Sequence, residues 1–137
     1  MRITVQLRFA DVDMARHVHN AAYLHFFELA RMALLGTFIA KDHDWRAQGL
    51  ILARNEVDYR KPVHLSDIVE VDCWCSAIGN KSFDLRYALY VVKDGVRFPR
   101  TDGRSVMVSF DYNTNKTIAV PDAWRAALAL MMETTNP

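Results

Sequence analysis

Acidic, imidazole and amide side chains are concentrated in a polar stretch near the start of the chain. Asp11, Asp13, His17, His19 and Asn20 all fall within it, and a long apolar segment follows directly. If that segment is a helix, its N-terminus carries unpaired N–H groups and a partial positive charge that stabilise an anion. A reaction that develops an oxyanion would benefit from such a terminus. The stretch is therefore the first candidate for a catalytic site.

The same residue types also allow two other interpretations, a structural role and a metal site. Asp and Asn residues ahead of a helix often serve only as caps and turn formers, and Asp11 is expected to accept main-chain N–H groups in this way. His17 and His19, together with Asp11 and Asp13, offer ligand types that suit zinc or iron. Such short His pairs are usually incidental, so we predict no metal site.

One long helix is expected to follow the polar stretch. Residues 3–9 alternate as a strand does, whereas residues 21–40 contain many large apolar side chains and no Pro, which indicates a helix. Apolar residues cover nearly its whole circumference and leave one stripe through His25, Glu28 and Arg31. A helix of this kind must be wrapped by other structure. Those three ionisable residues also argue against a membrane span.

The remaining chain is strand-like and ends in a short helix. Alternating segments occur at residues 53–60, 69–75, 82–91 and 104–112, separated by turn signals. Pro121 begins a helix that is expected to end near Glu133. The predicted fold class is α+β, with a long central helix wrapped by a five-stranded antiparallel sheet and a short C-terminal helix. We expect one domain over residues 1–133 and a mobile tail at 134–137.

Composition and charge narrow the class of protein. The 137 residues are 51% hydrophobic and 24% charged, which is ordinary globular composition. The formal charge of +1 comes from scattered residues, so nucleic acid is not expected as a partner. A membrane is not expected either, because of the ionisable residues in the long helix. The first residues lack the apolar core of a secretory signal, and Cys73 and Cys75 are expected to be reduced core thiols. These features predict a cytoplasmic protein.

The polar stretch and the helix resemble the 4-hydroxybenzoyl-CoA thioesterase-like family of the hot-dog superfamily. The matching positions are Phe9, Asp11, Asp13, His17, Val18, Asn20, Ala21, Tyr23, Phe26, Phe27, Glu28 and Arg31. Weaker similarities are found at Arg60-Lys61-Pro62 and at Gly79-x-x-Ser82. The resemblance implies a hot-dog fold and hydrolysis of an acyl-CoA thioester, with no cofactor because CoA is part of the substrate.

The resemblance also implies roles for particular residues. Asp13 occupies the position of the nucleophile or general base, and the oxyanion donor is a main-chain N–H near Asn20 or Ala21. The sequence departs from the family at two positions: Arg16 stands where many members have Gly, and His19 where many have Asn. Whether His17 or His19 has a polarising role in catalysis is left open. The catalytic candidates are Asp13, Asn20, Ala21, His17 and His19.

Substrate-binding candidates come from the helix and from the strands. Glu28 either borders the acyl pocket or pairs with Arg31 three residues on. Cations at strand exits and turns are suited to the CoA phosphates. The substrate-binding candidates are Tyr23, Glu28, Asn55, Val57, Arg60, Lys61, Lys81 and Ser82. The identity of the acyl group is left open.

The resemblance implies a homo-oligomer, a dimer or a dimer of dimers, whose sheets join edge to edge with sites at the subunit boundary. Two alternative functions are retained. One is a hydratase or dehydratase acting on a CoA- or carrier-linked acyl group, for which His25 and Glu28 match the required pair only weakly. The other is a non-catalytic acyl-CoA binding module, which would return its ligand intact.

Overall fold

The structure is a computed structural model that describes residues 1–135. Its elements are β1 (Arg2–Val5), α1 (Asn20–Leu35), β2 (Gly49–Tyr59), β3 (Ile68–Ile78), β4 (Ser82–Lys93), β5 (Val96–Asp111), β6 (Lys116–Thr117) and α2 (Asp122–Thr135). The strand order is β1-β3-β4-β5-β2, and β6 pairs with β5. The predicted α+β class is confirmed, with the two-residue β6 as a sixth strand beside the five expected ones.

Several boundaries differ from those expected. β1 ends at Val5, and Phe9–Asp11 form a short 3-10 turn. Helix α1 ends at Leu35, just before Gly36, a residue type that favours helix termination. β5 begins at Val96, eight residues earlier than expected, because the structure accommodates Pro99 and Gly103, two residue types that weaken a strand pattern.

Helix α2 extends to Thr135, beyond the expected end near Glu133. Residues 136–137 of the expected mobile tail lie outside the described residues, so its mobility stays a prediction. Within residues 1–135 no helix is long and apolar enough to cross a lipid bilayer.

The chain divides into two compact units. The first comprises Met1–Ala33, Val57–Cys73 and Tyr87–Gly103, and the second comprises Leu34–Glu56, Trp74–Arg86 and, within the described residues, 104–135. In the first unit the rings of Phe27 and Tyr87 stack with centroids 4.6 Å apart and planes at 14°. In the second unit Trp124 is buried and contacts the rings of His43 and Trp45.

One face of α1 remains open to solvent. Leu29 and Met32 are 55% and 51% exposed, and Leu24 is exposed as well. The expectation that the helix is enclosed on nearly all sides therefore does not hold for a single chain. The nearby β1 has only four residues, and the groove that it borders leaves Leu29 and Met32 uncovered.

The two cysteines behave as expected. Cys73 and Cys75 are buried and form no disulfide. Burial raises the pKa of the Cys75 thiol to about 11, because an apolar environment disfavours the thiolate. The prediction of reduced core thiols is confirmed.

Candidate active site

A tight turn holds Asp13 in place. Its Oδ1 accepts the main-chain N–H groups of Ala15 at 2.9 Å and of His17 at 3.2 Å. The Asp13 N–H donates to the His17 carbonyl at 2.9 Å, and the Arg16 N–H donates to the Asp13 carbonyl at 3.0 Å. Asp is suited to such a turn because its short side chain bonds the main chain two residues on. Oδ2 accepts no hydrogen bond from residues 1–135, so this oxygen is available to a ligand.

Arg16 closes the turn in a left-handed conformation, with φ of 64°. Side chains other than Gly rarely adopt this region, because Cβ crowds the following carbonyl oxygen. The backbone thus explains why the resembling family often has Gly here. An arginine at this position keeps the turn but adds a cation beside Asp13.

The N-terminus of α1 offers two free donors. The helix begins at Asn20, and the Ala22 N–H already donates to the His19 carbonyl at 3.0 Å. The N–H groups of Asn20 and Ala21 have no acceptor in the part of the chain that the structure describes. The Tyr59 hydroxyl donates to the Asn20 carbonyl at 3.1 Å, which fixes the start of the helix against the end of β2.

Asp11 has the structural role expected of it. The residue is buried, and its carboxylate accepts the Arg8 N–H at 2.8 Å and the Arg8 guanidinium at 2.9 Å. The hydrogen bond from the Arg8 side chain lowers the pKa of Asp11 despite burial. The Asp11 carbonyl accepts the His19 N–H at 2.9 Å. Asp11 therefore shapes the loop that carries Asp13.

A first cavity brings together six of the predicted site residues. We call it the polar cavity; its volume is about 230 Å³. It is lined by Asp13, His17, Val18, Asn20, Tyr23, Tyr59, Arg60, Lys61 and Pro62. Tyr23 is buried, with its ring edge-on to that of Tyr59 at 5.1 Å, and burial raises its pKa. The Tyr23 phenol thus stays neutral at physiological pH.

The two cations of the polar cavity are not equally available. The Arg60 Nε lies 2.5 Å from the carboxylate of Asp102, so its charge is already paired. Lys61 is exposed and has no carboxylate within salt-bridge distance among residues 1–135. Lys61 is therefore the cation that is free to meet an anionic ligand.

Asp13 also lines a second cavity. We call it the apolar cavity; its volume is about 810 Å³. It is lined by Phe9, Val12, Asp13, Arg16, His64, Leu65 and Ser66. This volume is within the range of about 300–1,000 Å³ that is typical of small-molecule sites. Asp13 is the residue that the two cavities share.

His64 is a site residue that sequence reasoning missed. Its ring contacts that of His17, with centroids 5.0 Å apart, and the two residues form an antiparallel bridge. Asp67 holds the turn by accepting the His64 N–H at 2.8 Å. Residues 17 and 64 are far apart in the chain, and no local pattern indicates their contact.

Glu28 lies in a different groove from Asp13. With His25, Leu29 and Met32 it lines a space of about 590 Å³ beside β1. Its carboxylate is 3.9 Å from the guanidinium of Arg31, in agreement with the simpler of the two expected roles. Glu28 lines neither cavity that contains Asp13.

Other predicted site residues also lie outside the two cavities. The Asn55 Oδ1 accepts the Ser105 hydroxyl at 2.6 Å, and the Lys81 Nζ donates to the Thr117 hydroxyl at 3.3 Å. The Ser82 carbonyl accepts the Gly79 N–H at 2.7 Å. These three belong to the second compact unit, whereas Val57 is a half-buried residue of the first. His19 and Ala21 line neither cavity.

The alternative of a metal site finds no matching cluster. Within residues 1–135 no group of three or more His, Cys, Asp or Glu side chains is arranged to hold a metal ion. His17 and His19 are thus not brought together with Asp11 and Asp13 as a ligand set.

Known proteins share both this sequence pattern and this fold. A sequence model of the thioesterase-like superfamily matches residues 7–128. The chain is therefore a member of the thioesterase-like superfamily with the hot-dog fold, and it is a thioester hydrolase.

Individual relatives cover nearly the whole chain. The long-chain acyl-CoA thioesterase FadM of Escherichia coli (strain K12) is 25% identical over 136 residues, which span 97% of this chain and 100% of the relative. A thioesterase from Thermus thermophilus, solved with coenzyme A and Zn, is 29% identical with a TM-score of 0.78, covering 93% of this chain and 95% of its own. A predicted thioesterase from Bacillus stearothermophilus is 25% identical with a TM-score of 0.81, covering 95% and 94%.

Proposed function

We propose that the protein hydrolyses acyl-CoA thioesters to a carboxylic acid and free CoA, with Asp13 as nucleophile or general base. The observation that carries the proposal is the free Oδ2 of Asp13 in a cavity shared with Asn20, the first residue of α1. The name of the Escherichia coli relative and the coenzyme A in the Thermus thermophilus structure support CoA as the leaving group.

The chemistry requires little more than these groups. Asp13 either attacks the thioester carbonyl, giving an anhydride that water then hydrolyses, or removes a proton from a water molecule that attacks the same carbon. The N–H groups of Asn20 and Ala21 bind the negative charge that develops on the carbonyl oxygen. The carbon–sulfur bond breaks without a strong general acid, because a thiol with a pKa of about 8.5 is a good leaving group.

The replacement Asp13→Asn tests this mechanism. We expect kcat to fall by at least ~100-fold while the far-UV circular dichroism and Tm stay close to those of the wild type. Asn retains the turn, because its side-chain oxygen can still accept the N–H groups of Ala15 and His17. Free thiol and carboxylic acid are both measured, across a panel of acyl chain lengths and aryl groups.

Asp94→Asn is the matched control, because Asp94 is an exposed carboxylate in the β4–β5 turn that lines neither cavity. Unchanged hydrolysis by the Asp13 variant would remove this residue from the mechanism. Recovery of acyl-CoA intact with the wild-type protein would instead favour a binding module.

We further propose a homodimer formed through β2. This strand is at the end of the sheet order, and Leu52–Glu56 are all exposed. Because successive residues of a strand point to opposite faces, five exposed residues in a row mean that both faces are uncovered. A second copy of the chain would pair the open edge and bury apolar surface at Leu52. The cytoplasmic location also stays a prediction; it is supported by the burial of Cys73 and Cys75 without a disulfide.

A further inference from the structure

Asp13 separates two cavities whose walls differ in chemistry. The apolar cavity has walls from Phe9, Val12 and Leu65, whereas the polar cavity contains Lys61 and Arg60. An acyl-CoA has the same asymmetry about its thioester carbonyl: the acyl group is mostly hydrocarbon, and the pantetheine arm ends in phosphates. The carbonyl carbon is the atom that must lie at Asp13.

We propose that the apolar cavity takes the acyl group and that the polar cavity takes the pantetheine arm, with Lys61 binding a phosphate. Leu65 then determines acyl selectivity, and Lys61 determines the preference for CoA over a leaving thiol without phosphates. This assignment rests on the proposed thioesterase function. It adds the orientation of the substrate, that is, which of the two cavities holds each end of the acyl-CoA.

Large apolar side chains that line the apolar cavity are exposed to solvent. Phe9 is 87% exposed and Leu65 is 41% exposed, although both line a cavity. Contiguous exposed apolar side chains in a concave site are typical of a ligand surface. Each methylene that such a surface removes from water can raise kcat/KM by up to about fourfold. The open volume of about 810 Å³ leaves room for an extended chain.

The polar cavity is suited to the other end of the substrate. Lys61 has no carboxylate partner among residues 1–135, and Tyr23, Tyr59 and Asn20 contribute hydrogen-bonding groups. The polar side chains that line this cavity suit an amide-containing arm better than a hydrocarbon chain, because they can pair with amide groups and would be desolvated without a partner by hydrocarbon. A phosphate beyond the arm would then meet the ammonium group of Lys61.

The first experiment varies the acyl group. For Leu65→Trp we expect the ratio of kcat/KM for dodecanoyl-CoA over acetyl-CoA to fall at least ~10-fold, because the indole fills the cavity. Leu65→Ala enlarges the same cavity and should move the preference toward longer or branched acyl groups. Leu130→Trp is the matched control, because Leu130 is an exposed leucine of α2 that lines neither cavity.

The second experiment varies the leaving thiol. Each acyl group is offered both as the CoA thioester and as the N-acetylcysteamine thioester, which has no phosphate. For Lys61→Gln we expect the CoA-to-N-acetylcysteamine ratio of kcat/KM to fall on the order of fivefold. Added salt should lower this ratio in the wild type and much less in the variant, because salt screens the phosphate contact. Lys93→Gln, at the exposed end of β4, is the matched control.

The two experiments together decide the direction of the substrate. The assignment is supported if Leu65 variants change only the acyl-length ratio and Lys61→Gln changes only the leaving-thiol ratio. It is overturned if the effects are exchanged, or if each variant matches its control in both ratios. Failure of the wild type to release thiol from any thioester would instead contradict the thioesterase function itself.

Discussion

At the scale of the residue, Arg16 has a strained backbone in the turn that holds Asp13. Its φ of 64° is costly for any side chain with a Cβ, yet the chain has arginine rather than glycine here. Backbone strain of this kind persists where the surrounding structure imposes it and is frequent at active sites. Arg16 lines the apolar cavity together with Asp13.

Comparing Arg16→Gly with Arg16→Ala separates the backbone cost from the loss of the side chain. Both variants lack the guanidinium, but only alanine retains a Cβ in the left-handed region. We expect the glycine variant to have a free energy of unfolding about 1 kcal/mol higher than the alanine variant. Urea unfolding monitored by fluorescence measures the difference. Equal stabilities, or a more stable alanine variant, would show that the turn relaxes without strain.

At the scale of the element, a single missing Cβ controls how closely α1 packs on β5. A Cβ added at Gly103 would lie 2.5 Å from Phe27 Cε2 and 2.9 Å from its Cζ. That ring is stacked on Tyr87, which leaves it little freedom to move away. Protein interiors are densely packed, so there is no empty space into which the Phe27 ring could move to relieve the clash.

Gly103→Ala is therefore expected to destabilise the protein by about 1–3 kcal/mol and to lower Tm. A double-mutant cycle with Phe27→Leu tests the cause, because the smaller side chain makes room for the new methyl group. The double variant should be more stable than the sum of the two single changes predicts. Additive losses in thermal unfolding would mean that the Phe27 ring is not the obstacle.

The elements themselves were largely predictable, whereas the contacts between them were not. Periodicity placed α1 and the main strands, because it reports which face of each element is apolar. It missed the early start of β5, since Pro99 and Gly103 are tolerated only where the sheet happens to allow them. Asp13, Asn20 and Tyr23 were named with the help of the resemblance, and Arg60 and Lys61 as cations at a strand exit; the fold brings all five to one cavity.

His64 and Leu65 could not be found from the sequence in the same way. They come close to Asp13 where His17 and His64 form a bridge, which joins two segments that α1 and β2 separate in the chain. Glu28 was named from the same motif as Asp13, yet helical geometry turns it toward β1 and away from both cavities. Motifs identify residue types, but a cavity is defined by residues that are distant in sequence.

At the scale of the whole molecule, β2 is the longer of the two edge strands of the sheet, with eleven residues against four in β1. β3, β4 and β5 alternate between buried and exposed residues along much of their length, but β2 does not. Long exposed edges promote pairing with another chain, and natural proteins usually block them when pairing is unwanted. In the proposed dimer, β2 of one copy pairs with the second copy, so its exposed edge is no longer open to other chains.

Leu52→Lys should weaken self-association, because a charge on an edge strand opposes pairing and the apolar contact is lost. We expect the wild type to sediment as a dimer and the variant to shift toward monomer as protein concentration falls. Leu130→Lys introduces the same charge at an exposed position of α2 and should leave the dimer intact. A monomeric wild type, or equal dissociation of both variants, would contradict an interface at β2.

The burial of both cysteine thiols has a practical consequence for activity assays. Chromogenic disulfide reagents detect a released thiol through its thiolate, and the polypeptide's own sulfur atoms would be a source of background if they reacted. Cys73 and Cys75 are enclosed, and the second of them ionises only in strongly alkaline solution. In an assay of the folded protein, the absorbance therefore reports the released thiol and not the cysteines of the protein. A slow rise of the baseline without substrate would indicate that the protein unfolds and its cysteines react.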